Sequence, residues 1–172
     1  MHILNVPIGY LPYLAHPDWT VRRRIGFLAP SFLLSSDLGF STSIPYFVVL
    51  GDTNDLEFTP YRFQRRGLAV KTRYRQKWDR SDLNVALYTG SLNTFKKNRE
   101  SVAALDGIFS TTIGDDWNVK MRARRSSQDT FMRRYKFNSD TWLKSSAVAE
   151  RIKSDKYYYC LLYTSPSPRD PT

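Results

Sequence analysis

Residues 68–77 carry the feature that most constrains this chain. Leu68, Val70, Thr72 and Tyr74 occupy one phase of a two-residue alternation, and Lys71, Arg73, Arg75 and Lys77 occupy the other. Successive side chains of a β-strand point to opposite faces, so a strand here places the cations on one side and the apolar groups on the other. Residues 117–124 repeat the pattern, with Trp117, Val119, Met121 and Ala123 set against Asn118, Lys120, Arg122 and Arg124. In residues 38–50 the phase Leu38, Phe40, Thr42, Ile44, Tyr46, Val48 is apolar, and Gly39, Ser41, Ser43, Pro45 is small and polar. Residues 141–151 are less clean: Lys144 and Glu150 share a phase with Trp142 and Val148, which implies a bulge or a misplaced boundary.

Turn sequences punctuate these segments at 51–55, 79–82, 114–116 and 153–155. Helical periodicity is missing apart from a weak alternative at 101–105. The expected fold is therefore all-β and antiparallel, with about 8–9 strands at roughly 9–13 residues each, longer than the soluble mode of about 5–6. Two architectures fit the alternation. A soluble sheet packs its apolar face inward and shows its cations to water. A membrane barrel turns the apolar phase to lipid, where a midplane Arg or Lys costs roughly 2–4 kcal/mol, and keeps its cations in the lumen. Short turns alternate with longer, charged junctions at 93–100 and 127–140, as in outer-membrane barrels, although the junction at Arg66-Gly67 is short.

Composition narrows the partners. Lys and Arg total 26 against 16 Asp and Glu, a net charge of +10, which favours an anionic partner such as a phosphorylated glycolipid, a lipid surface or nucleic acid. No apolar run reaches the roughly 18 residues of a membrane-spanning helix. A base-stacking surface needs aromatics beside its cations, and Tyr74 and Trp117 lie in the opposite phase, which argues against nucleic acid. His2 and His16 are the only histidines, His16 sits in a His-Pro-Asp turn, and Asp115-Asp116 reads as a turn former. No catalytic constellation, cofactor loop or metal ligand set emerges, so the expectation is a protein that is not an enzyme. The start Met1-His2-Ile3-Leu4 lacks the basic and apolar regions of a signal peptide.

At the other end, Cys160-Leu-Leu-Tyr-Thr-Ser-Pro-Ser-Pro-Arg-Asp170 resembles a transposase-type sequencing adapter translated in frame, so residues 160–172 are read as an artefact. Cys160 is the only cysteine, and no disulfide or thiolate metal site is argued.

The most distinctive stretch runs Asn5-Val-Pro-Ile-Gly-Tyr-Leu-Pro-Tyr-Leu14, then Arg22-Arg-Arg-Ile-Gly-Phe-Leu-Ala-Pro30, then Ile44-Pro-Tyr-Phe-Val-Val-Leu-Gly-Asp-Thr-Asn-Asp55. These resemble the LptD (OstA, organic-solvent-tolerance) family of lipopolysaccharide-assembly proteins. In that family a "vP-x-y-x-PYl" strand ends a periplasmic jellyroll, "RR-x-GFL-x-P" opens the barrel and "PYy-x-x-laP-x-x-D" forms its second strand. Gly51 departs from the small-Pro ending. Phe58-Thr-Pro-Tyr61, Arg65-Arg-Gly-Leu68 and Asp129-Thr-Phe-Met-Arg-Arg-Tyr135 extend the likeness, which is strong over 5–78 and diffuse to 159.

The resemblance implies that residues 1–20 close the jellyroll and that 21–159 begin an outer-membrane barrel, with the N-terminal end periplasmic. It implies lipopolysaccharide as cargo, the lipoprotein LptE and the bridge protein LptA as partners, and lateral release of lipid between the first and last strands. Pro30 and Pro45 lack an N–H and so each deletes a ladder hydrogen bond; by resemblance they are lateral-gate prolines. Arg22, Arg23 and Arg24 are candidates for contact with lipid phosphates, for salt bridges at the junction, or for the headgroup layer. Lys71, Arg73, Arg75, Lys120, Arg122 and Arg124 are candidate lumen-facing cations, attracting an anionic glycolipid or pairing with carboxylates of strands beyond this chain. The alternatives are a porin-like barrel, and a soluble basic β-domain that binds an anionic ligand such as nucleic acid.

Overall fold

The computed structural model describes residues 2–3, 6–7, 23–93, 99–114, 116–128, 130–137, 143–153 and 156–164. β1 (His2–Ile3) and β2 (Val6–Pro7) form a small hairpin. The jellyroll expectation for residues 1–20 otherwise falls outside the described residues.

One antiparallel sheet holds β3 (Gly26–Phe27), β4 (Ser31–Ser35), β5 (Gly39–Ser43), β6 (Tyr46–Val49), β7 (Asn54–Phe63), β8 (Gly67–Lys77), β9 (Ser81–Asn93), β10 (Arg99–Ile113), β11 (Trp117–Ser126), β12 (Ser145–Lys153) and β13 (Lys156–Thr164). β5 and β6 keep one register against β7: Ser43 faces Tyr61 and Tyr46 faces Phe58, both summing to 104. They are one strand line interrupted at Ile44-Pro45. β3 and β4 form the line beside it, so the sheet is a meander of nine strand positions, as the alternation predicts. Among the described residues nothing joins the outer edges of the β3–β4 line and β13, and the sheet is open.

The described turns between β4 and β5, β6 and β7, β7 and β8, and β8 and β9 fall at polar or glycine-containing breaks. Gly114, after β10, holds φ at +62°, a left-handed value that costs a side-chain-bearing residue roughly 1–2 kcal/mol. Residues 141–151 need no bulge: β12 begins at Ser145, which puts Lys144 outside the strand. Trp142 lies outside the described residues. Glu150 and Val148 stand opposite Asn118 and Lys120 and share their face. The weak helical alternative at 101–105 is strand, within β10. β13 runs to Thr164, into the stretch read as adapter. Its pairing with β12 is backbone pairing, and an open edge offers that to any extended segment.

Direct cross-strand partners share a face, so the registers sort every strand position onto two surfaces. One surface carries Leu68, Leu87, Leu105, Phe58 and Met121, all exposed, with nothing packed over them. The other is covered by the β11–β12 connection, which contains α1 (Phe131–Arg134). Phe131, Met132 and Tyr135 are buried there against Phe63, Ala69, Ala86, Tyr88, Val102 and Ala104. Phe137 meets the rings of Tyr61 and Tyr88 at 4.9 Å each. Small residues make this docking possible. A Cβ on Gly90 would lie 3.0 Å from both the Ala69 Cβ and the Leu68 carbonyl oxygen. The chain thus has its core on the charged phase of the sheet and leaves the apolar phase bare, the reverse of a soluble sheet.

Candidate functional site: the covered face and the first hairpin

Acids on adjacent strands pair with most cations of the covered face. Asp55 and Glu57 of β7 stand directly opposite Arg75 and Arg73 of β8. The Arg75 Nε donates to the Asp55 carboxylate at 2.6 Å, and Lys71 and Arg73 lie 3.5 and 3.8 Å from Glu57. One strand pair further on, Asp106 of β10 accepts from Arg122 at 3.1 and 3.3 Å and from Arg124 at 3.3 Å. Glu57 and Asp106 thus each serve two cations within this chain. Lys120 is exposed and forms no ion pair among the described residues. It lines a polar cavity of about 460 Å³ together with Arg80, Asp82 and Glu150. The expectation from single strands that aromatics avoid the cationic face holds for Tyr74 and Trp117 but not for the assembled sheet. Tyr61, Tyr88 and Phe137 lie beside Lys71 and Arg73.

Arg23, ahead of the first strand, forms an ion pair with Asp55 and donates to the Asp52 carbonyl at 3.3 Å. Its guanidinium and that of Arg75 lie 5.8 and 5.6 Å from the centre of the Phe47 ring. Asp55, 2% exposed, is thus shared between the lead-in of the first strand and β8. Of the three candidate arginines, Arg23 is a salt-bridge anchor, Arg24 is exposed and Arg22 lies outside the described residues.

Pro30 and Pro45 lie on the two sides of the first hairpin of the large sheet without standing opposite one another, since Pro45 is level with Leu28. Gly26 pairs with Phe47 and Phe27 with Tyr46, whereas Ser31 pairs with Ser43. Leu28, Ala29 and Pro30 therefore stand opposite only Ile44 and Pro45, a bulge of one residue. The extra residue explains how Phe27 and Phe32, an odd number of positions apart, both reach the bare face, against Tyr46 and Phe40. The Leu28 N–H donates to the Pro45 carbonyl at 2.8 Å. A strand residue's N–H and C=O point to the same side, so the bond missing from this pair is the one Pro45 would return to the Leu28 carbonyl.

Between this hairpin and the docked connection lies a cavity of about 320 Å³, lined by Ser31, Ser43, Tyr61, Lys71, Arg73, Lys136 and neighbouring residues. Sequence reasoning missed its far wall. The signal was present: Phe131, Met132 and Tyr135 are apolar at one-turn helical spacing inside a stretch read as a charged loop. The acids Asp55, Glu57 and Asp106 were also missed, although their alternation phase is readable once the turns are fixed.

No family model matches this chain. Among curated proteins it is similar to the LPS-assembly protein LptD of Shewanella frigidimarina, 40% identical over 161 residues, which covers 92% of this chain and 20% of that protein. This chain belongs to the LptD family. The LptD of Shewanella sp. strain MR-4 is 34% identical over 115 residues, covering 62% of this chain and 15% of the relative. The LptD of Pseudoalteromonas atlantica is 26% identical over 174 residues, covering 98% and 22%. The chain spans about a fifth or less of these LptD relatives.

Proposed function

We propose that this LptD-family chain is part of an outer-membrane β-barrel that assembles lipopolysaccharide in the outer leaflet. The observation that carries the reading is the distribution of apolar surface. Long antiparallel strands expose a broad apolar face, interrupted by Arg62 and Arg125 opposite Leu68 and Leu105, while most cations of the other face pair with acids under a folded-in connection. Water gives no reason to expose that face; hydrocarbon does. On this reading the covered face is the lumen and the bare face meets lipid. Trp78, Trp117 and Arg151, near the short turns, occupy the headgroup layer, with the Arg151 guanidinium 5.6 Å from the Trp117 ring centre.

The role is non-enzymatic. The first hairpin, short of backbone donors at Pro30 and Pro45, is the edge that parts so that lipid leaves sideways. Residues 1–20 join the barrel to a periplasmic jellyroll that receives cargo from LptA, and LptE sits with the completed barrel. Residues 160–172 are adapter-derived and take no part.

The test is depletion and replacement. Cells depleted of the complete gene product are expected to lose newly made lipopolysaccharide from the surface and to regain it on re-expression, with the protein in the outer-membrane fraction. Recovery of the protein as a soluble species, or unchanged surface lipopolysaccharide on depletion, overturns the reading.

A further inference from the structure

We propose that the first hairpin gives way in its middle, along the line where it meets β7, while both its ends stay fixed, and that Pro60 sets this line. This deepens the function proposed above, whose parting edge is the same hairpin, and rests on that reading for its purpose: the edge deforms without leaving the sheet.

The line is a gap in the ladder. The β5–β6 line pairs with β7 at 41–43 against 61–63 and at 46–49 against 55–58. Between these runs Ile44 and Pro45 stand opposite Pro60 and Thr59, and pairing lapses. The direction of the backbone groups gives the cause. The Leu28 N–H donates to the Pro45 carbonyl, so Pro45 turns its polar groups toward the edge strand and its neighbour Ile44 turns toward β7. The Gln64 N–H donates to the Phe40 carbonyl at 3.0 Å in the same register, so Gln64, Arg62, Pro60 and Phe58 turn back toward the β5–β6 line. Pro60 is thus the residue that would donate to the Ile44 carbonyl, and it has no N–H. Pro45 lacks the matching donor toward Leu28, so adjacent residues of one strand are short of a bond on both sides. The weakness stops at β7, whose ladder with β8 runs unbroken through ten pairs, Pro60 with Val70 among them.

Both ends of the hairpin are tied. At the turn, the Gln64 side chain accepts from the Phe40 N–H at 3.1 Å, and Arg65 and Arg66 donate to the Ser36 and Asp37 carbonyls at 2.5 and 3.3 Å. At the base, Arg23 pairs with Asp55 and donates to the Asp52 carbonyl.

The middle also lacks support from either side. Ser43 and Tyr61, the opposed pair next to the gap, line the cavity of about 320 Å³ on the covered face. On the bare face Ile44 and Pro60 are exposed.

The experiment is hydrogen exchange at single-residue resolution on the complete gene product in detergent micelles. An ordinary edge frays from its ends. Here Thr42 and Tyr46, beside the gap, are expected to exchange at least fivefold faster than Phe40 and Val48, nearer the ends. Pro60→Ala supplies the missing N–H and is expected to slow Thr42 and Tyr46 about fivefold, the factor that one net backbone hydrogen bond is worth, with β9 unchanged. Fastest exchange at Phe40 and Val48, wild-type rates in Pro60→Ala, or uniform slowing across the sheet overturns the proposal. The wild-type profile decides the matter if Pro60→Ala does not fold. Lipopolysaccharide assembly in cells is read separately: normal assembly with end-fraying exchange sinks this inference alone.

Discussion

Arg23 and Asp55 form an ion pair that ties the lead-in of the first strand to the start of β7, across the intervening β5–β6 line and over the Phe47 ring. Both residues belong to motif segments, Arg23 before Gly-Phe-Leu and Asp55 after the Pro-Tyr strand. The pair fixes one end of the edge strand. Beyond it, the bulge at Leu28–Pro30 and the missing Pro45 donor interrupt the pairing before β4 resumes it with β5.

Removing the shared carboxylate should free the fixed end. Asp55→Ala leaves Arg23 and Arg75, both well exposed to solvent, without their common acceptor, and losing hydrogen bonds to a charged group costs about 1.5–3 kcal/mol. Hydrogen exchange in the complete gene product should accelerate over residues 24–35 and remain unchanged over β9 and β10. Uniform acceleration across the sheet would show that Asp55 stabilises the whole fold and does not act as a local tie.

Restoring the missing donor should do the opposite. Pro45→Ala supplies an N–H facing the Leu28 carbonyl, a bond worth about 1 kcal/mol. Amides of the first hairpin should exchange more slowly, and delivery of lipopolysaccharide to the surface should slow with them. Slower exchange with unchanged delivery would separate the proline from gating.

The docked connection depends on one ring above all. Phe131 is fully buried, and Phe131→Ala should cost about 3–5 kcal/mol of docking and stability. Limited trypsinolysis at Arg133, Arg134 and Lys136 should become rapid while the strands stay protected. A variant cut no faster than wild type would show that the connection is held by other contacts.

Gly90 is the tightest point beneath that connection. Gly90→Val drives a side chain into the Ala69 Cβ and the Leu68 carbonyl, and overpacking of this kind costs about 1–3 kcal/mol. The expected signature is a lower thermal midpoint, with no comparable change for Gly107→Ala, where an added Cβ meets only ordinary contacts of 3.6 and 3.9 Å.

The bare face gives the sharpest physical test of the membrane reading. Leu87→Arg should be nearly neutral on a water-exposed sheet but cost roughly 2–4 kcal/mol at the midplane of a bilayer. Folding yield of the complete gene product into lipid vesicles should fall for Leu87→Arg and hold for Asn84→Arg on the opposite, covered face. Equal yields would exclude lipid contact at Leu87.

What the sequence by itself determined is whatever a single strand encodes. Lys71, Arg73 and Arg75 face one way and Leu68 and Val70 the other because the alternation is a property of the local backbone, and the turns at 79–82 and 114–116 follow from residues that break it. The motif segments around Arg23, Pro45 and Asp55 made the family legible for the same reason: they are contiguous. The tertiary structure alone decided which face is covered, since either phase of an amphipathic strand can meet protein, water or lipid. It also brought Arg23 to Asp55, placed Pro30 and Pro45 in one hairpin beside a one-residue bulge, and folded the connection that carries Phe131 and Lys136 over the charged face. Those relationships depend on register between strands and on the docking of a distant connection. Both are fixed by packing among residues far apart in the chain, which no local pattern records.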